Sequence, residues 1–165
     1  MTLAEFGALG ELIGGVAVVF SLAYVGVQIK QTADASRVAA AQVFAKQYSD
    51  LNQMIAEPKI GDIFARGLQG LSTLSPGEQA SFTSVLSSIS RTLESFYFQQ
   101  RQGELDARLY EGWFTQYLDL HAYPGVVEYW SMRRHQYSVE FAAYLDECLS
   151  GRIAKPLYVV SPPSP

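Results

Sequence analysis

Cysteine, histidine and net positive charge are scarce in this chain, and each shortage removes a class of function. The single cysteine among 165 residues, Cys148, cannot close an intramolecular disulfide. Its acidic neighbours Asp146 and Glu147 raise a thiol pKa rather than lower it, so it reads as a reduced packing residue and not as a nucleophile. The two histidines, His121 and His135, have no partner at the His-Glu-x-x-His or Glu-x-x-His spacing that metal sites on helices use. Each reads as a surface or helix-end histidine, so no metal and no cofactor is expected. Twelve Lys and Arg against sixteen Asp and Glu give a net charge of -4. That balance supplies no global positive field to neutralise phosphates, so no nucleic acid is expected as a partner. Phosphate-loop chemistry lacks its motif, because Gly67-Leu68-Gln69-Gly70 is not followed by Lys-Ser/Thr. No Gly-x-Ser-x-Gly elbow surrounds Ser84, Ser87, Ser88 or Ser90, which fall within a helical pattern where hydroxyls are solvated or bond backbone carbonyls. No catalytic residue is assigned.

Charge is also missing locally. From Leu12 to Ile29 there is none, and with Phe6 to Gly10 the apolar tract approaches the roughly 20 residues a helix needs to cross a ~30 Å hydrocarbon core. A cleavable signal peptide fits less well: residues 1–5 carry Glu5 and no Lys or Arg, and Lys30-Gln31-Thr32 offers no small-x-small site. The expectation is a retained single-pass anchor over residues 1–31, with the lipid bilayer as its surroundings. Lys30 and Arg37 follow the span while Glu5 and Glu11 lie at its other end, which places the N-terminus outside and the remainder in the cytoplasm. Gly7, Gly10, Gly14, Ala17 and Ser21 recur at spacings of four and three, forming one stripe of small residues along the helix. The stripe reads as a packing face for a homo-oligomer or another membrane protein, or as the ordinary abundance of small residues in membrane helices. Glu11, at the end of the tract, reads as a headgroup-reaching side chain or as an ionisable group in an ion path.

Beyond the span the pattern is helical throughout. Thr32 to Glu57 contains no Gly or Pro and places Ala41, Phe44, Tyr48, Leu51 and Ile55 at helical spacing, so the anchor is expected to continue as an amphipathic rod until Pro58. A short helix with Ile60, Ile63, Phe64 and Leu68 follows, stopped by Gly67 and Gly70. Ser75-Pro76-Gly77-Glu78 is a capping-box start for a central core helix with Phe82, Val85, Leu86, Ile89, Leu93, Phe96 and Tyr97 on one face, ended by Gly103. Asp106 caps a helix with Leu109, Trp113, Phe114, Tyr117 and Leu118 as its stripe. Tyr123-Pro124-Gly125 breaks it, Val126, Val127, Tyr129 and Trp130 open another ending at Arg133-Arg134, and Ser138 caps a last one stopped at Gly151. The expected fold is all-α: an N-terminal transmembrane helix continuing into a small cytoplasmic helical bundle over residues 32–153. Residues 154–165 form a Pro-rich tail, read as an untied terminus or a docking segment.

The most suggestive polar set is Glu94 with Arg101, two turns apart, together with Arg91 and the Arg133-Arg134-His135 group. These groups can line an anion-binding pocket with Trp113 beside it, making the protein a membrane-tethered sensor or enzyme. Equally, they can form an internal ion pair that fixes how helices cross. The aromatics Trp113, Tyr117, Tyr129 and Trp130 fit a core stripe, a ligand stack or a membrane surface.

Several segments together carry a resemblance: Gly10-Glu11-Leu12-Ile13-Gly14-Gly15 entering an apolar span, Gln28-Ile29-Lys30-Gln31-Thr32 leaving it, Leu93-Glu94 through Arg101 before Gly103, Trp113, Tyr129-Trp130 with Arg133-Arg134, and Phe141. As a set they resemble a widespread group of small bacterial membrane-anchored helical proteins with no assigned activity, in which an Asn often stands near the position of Thr32. The resemblance implies a bacterial inner-membrane location and transfers no catalytic or binding residue. The function expected is that of a non-enzymatic scaffold or accessory subunit acting through helix-helix association.

Overall fold

The computed structural model describes residues 3–158. The fold is all-α: six α-helices and two 3₁₀ turns account for the regular structure, with no strand among the described residues. Helix α1 runs Leu3–Ala56, α2 Pro58–Gln69, α3 Pro76–Arg101, α4 Ala107–Leu120, α5 Pro124–Arg133 and α6 Val139–Leu149. The chain divides into two compact units, Met1–Ala39 and Ala40–Pro165, with the division inside α1.

Helix boundaries follow from local chemistry. Pro58 disfavours helical backbone at the residue before it, and Glu57 is extended (φ -65°, ψ 125°). The Glu57 carboxylate then accepts from the Ile60 amide at 3.2 Å, capping α2. At Ser75 the capping box is complete, and Glu78 Oε2 accepts from the Ser75 amide at 2.8 Å. Asp106 caps α4 through the Arg108 amide at 2.9 Å, and Ser138 caps α6 through that of Phe141 at 3.3 Å. Gly103 (φ 75°) and Gly151 (φ 72°) take the left-handed backbone that ends α3 and α6.

Within the second unit α3 is central, packing against α2, α4 and α5. All seven of its expected core residues, from Phe82 to Tyr97, are buried. Phe44, Tyr48, Leu51 and Ile55 of α1 lie half-buried on that core. The aromatic set is therefore core: Trp113, Tyr117, Tyr129 and Trp130 are all buried.

Four details differ from the sequence pattern. Gly67 does not stop α2 but lies inside it, where the Phe82 ring occupies the space a Cβ would need. Leu109 and Val127 are exposed, and Tyr110 takes the place of Leu109 on the buried face of α4 with Trp113, Phe114, Tyr117 and Leu118. The His121 ring, at the end of α4, is largely enclosed rather than on the surface; its Nδ1 lies 3.1 Å from the Tyr117 carbonyl and burial lowers its pKa. Finally, the tail is tied down as far as it is described: Asp119 Oδ1 accepts from Arg152 at 2.9 Å and from the Lys155 amide at 3.2 Å. The Tyr123 hydroxyl donates to the Tyr158 carbonyl at 2.8 Å and also accepts from the Tyr158 amide. The Pro-rich end of the tail lies outside the described residues.

Candidate functional site

Every side chain from Ile13 to Ile29 is exposed, Phe20 at 72% and Leu22 at 67%, although none carries charge. The charge-free segment Leu12–Ile29 rises about 27 Å at 1.5 Å per residue, close to the thickness of a bilayer core. Long exposed apolar surface on all sides of a helix is not tolerated in water, so this segment must be covered by lipid or protein. Gly7, Gly14, Ala17 and Ser21 of the small-residue stripe are exposed, and a Cβ at Gly7 or Gly14 would meet nothing within 4 Å. Gly10 is helical, but its surroundings lie outside the described residues.

The polar set does not converge on one pocket. Glu94 pairs with Arg91, not Arg101: Arg91 donates to Glu94 Oε2 at 2.8 Å while Glu94 Oε1 accepts from the Ser138 amide at 2.7 Å. The Glu94 carboxylate, 12% exposed, thus binds the N-terminus of α6, where an orphan backbone donor and the positive helix end both favour an anion. Arg91 also donates to the Gln136 carbonyl at 2.7 Å and lies 4.4 Å from the centre of the Tyr137 ring. Arg101 turns to Glu140 at 3.7 Å, which also accepts from the Tyr97 hydroxyl at 3.1 Å. Arg134 is held by Asp146 at 2.6 Å, and Trp130 Nε1 donates to the same carboxylate at 2.9 Å. Trp113 packs in a cluster of rings, with Phe44 and Phe96 each 5.2 Å away and Tyr48 at 5.9 Å. Arg91, Glu94, Arg101 and Arg134 are thus each paired locally.

Other reactive residue types are likewise absorbed into packing. Burial raises the Cys148 thiol pKa, with Glu147 adding to the shift. Ser90 Oγ donates to the Leu86 carbonyl at 2.7 Å and pairs with the Tyr117 hydroxyl at 2.7 Å, and the Tyr129 and Tyr137 hydroxyls pair at 2.6 Å. Among the described residues no group of three His, Cys, Asp or Glu is arranged to hold a metal.

Fold and surface together define a class: an all-helical protein with one helix, near the N-terminus, long and apolar enough to cross a membrane. No protein-family model, curated protein or solved structure matches the chain.

Proposed function

We propose that this is a single-pass protein of the bacterial inner membrane, anchored by the first part of α1 with its helical bundle in the cytoplasm, and that it acts as a non-enzymatic scaffold or accessory subunit. The observation that carries the reading is the uncharged, fully exposed stretch Ile13–Ile29 within one uninterrupted helix. Lipid covers such a surface on all sides at once. Lys30 and Arg37 after the span favour the cytoplasmic side for the bundle. The stripe from Gly7 to Ser21 allows two backbones to approach closely, supporting association with a second copy or another membrane helix. The family suggested by the sequence segments fits the same location.

Three measurements test the parts of this proposal separately. Membranes from cells making the full chain, washed with alkaline carbonate, should retain the protein; release into the wash removes the anchor. A C-terminal fusion should fluoresce with green fluorescent protein and be inactive with alkaline phosphatase, and the reverse pattern inverts the orientation. Gly10→Leu with Gly14→Leu should lower self-association in a bacterial two-hybrid assay and in native mass spectra from detergent. Wild-type protein that stays monomeric over a wide concentration range would remove the homo-oligomer.

A further inference from the structure

Helix α3 carries Ser and Thr hydroxyls at Ser81, Thr83, Ser84, Ser87, Ser88, Ser90, Thr92 and Ser95. Six of the eight turn back on the helix, donating to the carbonyl four residues earlier at 2.7–3.1 Å. Ser95 instead accepts from the Gln99 side chain at 3.1 Å, and Ser87 makes no hydrogen bond within the helix among the described residues. Ser87 lies in an open recess of about 220 Å³, lined also by Thr83, Ser84, Tyr129, Arg133 and Gln136.

Arg133 stands out in the same way. The other seven arginines each have a carboxylate within 4.0 Å. Arg133 has none among the described residues, and the Gln136 carboxamide is likewise without a hydrogen-bond partner there. Its position at the end of α5 complements the helix dipole. That role, however, needs neither the hydroxyls nor the carboxamide around it. No Asp or Glu lines the recess to repel an anion or to neutralise the guanidinium.

We propose that this recess binds a phosphate group, with Arg133 supplying the charge and the main hydrogen bonds and Ser87 and Gln136 completing the donor set. A guanidinium presents its N–H groups in a planar fork that matches two phosphate oxygens, and charge-assisted bonds of this kind are the strong ones. The phosphate can belong to a soluble ester or to a lipid headgroup, which share this chemistry. The site is separate from the anchor reading, and its test does not depend on that reading.

Isothermal titration of the full-length protein in neutral detergent, at fixed ionic strength, should show saturable binding of inorganic phosphate that chloride does not reproduce. Arg133→Gln should weaken it at least tenfold and Ser87→Ala several-fold, with circular dichroism unchanged. Lys59→Gln, which removes an equal charge elsewhere, should leave binding as it was. Preference for glycerol 3-phosphate over short-chain phosphatidylglycerol assigns a soluble ester, and the opposite preference assigns a headgroup. Absence of saturable binding to all three probes, or equal binding by the folded Arg133→Gln protein, overturns the site.

Discussion

Gly67 and Gly125 bring α2 and α5 together backbone to backbone: a Cβ on Gly125 would lie 1.8 Å from the Gly67 carbonyl oxygen. The two positions are 58 residues apart in sequence, and no rotamer change can relieve a Cβ clash with backbone. Gly125→Ala should therefore separate the helices and destabilise the bundle by about 3 kcal/mol, at the upper end of overpacking costs. Urea denaturation followed by circular dichroism measures this. Gly77→Ala, with nothing within 4 Å of its Cβ, provides the comparison and should change stability little.

Glu94 joins two partners, Arg91 on its own helix and the Ser138 amide at the start of α6. Truncation in Glu94→Ala leaves the half-buried Ser138 amide without its acceptor and Arg91 with only the Gln136 carbonyl, at a cost of about 1–3 kcal/mol. Glu94→Gln keeps one oxygen for the Ser138 amide and should lose less. Hydrogen exchange resolved by segment should show the loss concentrated in α6.

Acid stability should depend on Glu78. The Arg66 guanidinium at 2.6 Å and the Ser75 amide hold its carboxyl down at about 2, below its ordinary value of 4.5. A carboxyl depressed in the folded state stabilises the fold above the unfolded value, and that contribution is lost as pH falls from about 4.5 towards 2. Asp106, held at about 2 by Arg108, acts in the same window. Glu78→Gln with Asp106→Asn should flatten the stability profile over that interval and leave its shape near neutrality unchanged. A double variant with the wild-type slope would rule this account out.

Asp119, 8% exposed, is the anchor point of the tail through Arg152 and the Lys155 amide. Asp119→Asn should loosen the segment and raise the rate of tryptic cleavage after Arg152 roughly tenfold, the equivalent of ~1.4 kcal/mol of lost contact. Lys155-Pro156 resists trypsin, so a single early fragment is expected. Unchanged cleavage would mean that the Tyr123–Tyr158 contact holds the tail by itself.

The helices themselves were legible because their signals are local: Ser75-Pro76-Gly77-Glu78, Asp106 and Ser138 specify their own caps within four residues. The stripe on α3 was legible because period 3.6 is unbroken there. What the sequence did not disclose was pairing across the chain. Glu94 and Arg101 share a helix, so spacing suggested them as partners, whereas the structure gives each a partner closer to hand in space, Arg91 and Glu140. The burial of Tyr110 in place of Leu109 on α4 goes with the stacking of Tyr110 on Phe114 and of Phe114 on Tyr144, the second a tertiary contact invisible to periodicity. The recess beside Arg133 was missed for the same reason. Its serines carry only the pattern of helix hydroxyls, and Arg133, which the sequence places both at a helix end and in a candidate anion pocket with Glu94 and Trp113, instead shares its recess with Ser87 and Gln136.

The two tryptophans report on different joints of the bundle. Trp113 sits under Phe44 and Tyr48 of α1, whereas Trp130 is bound through its indole nitrogen to Asp146 of α6. Replacing one or the other by phenylalanine yields two single-emitter proteins, one sensing the seating of α1 and one the seating of α6. Native fluorescence can then follow the order in which those helices come away during unfolding, with no label attached.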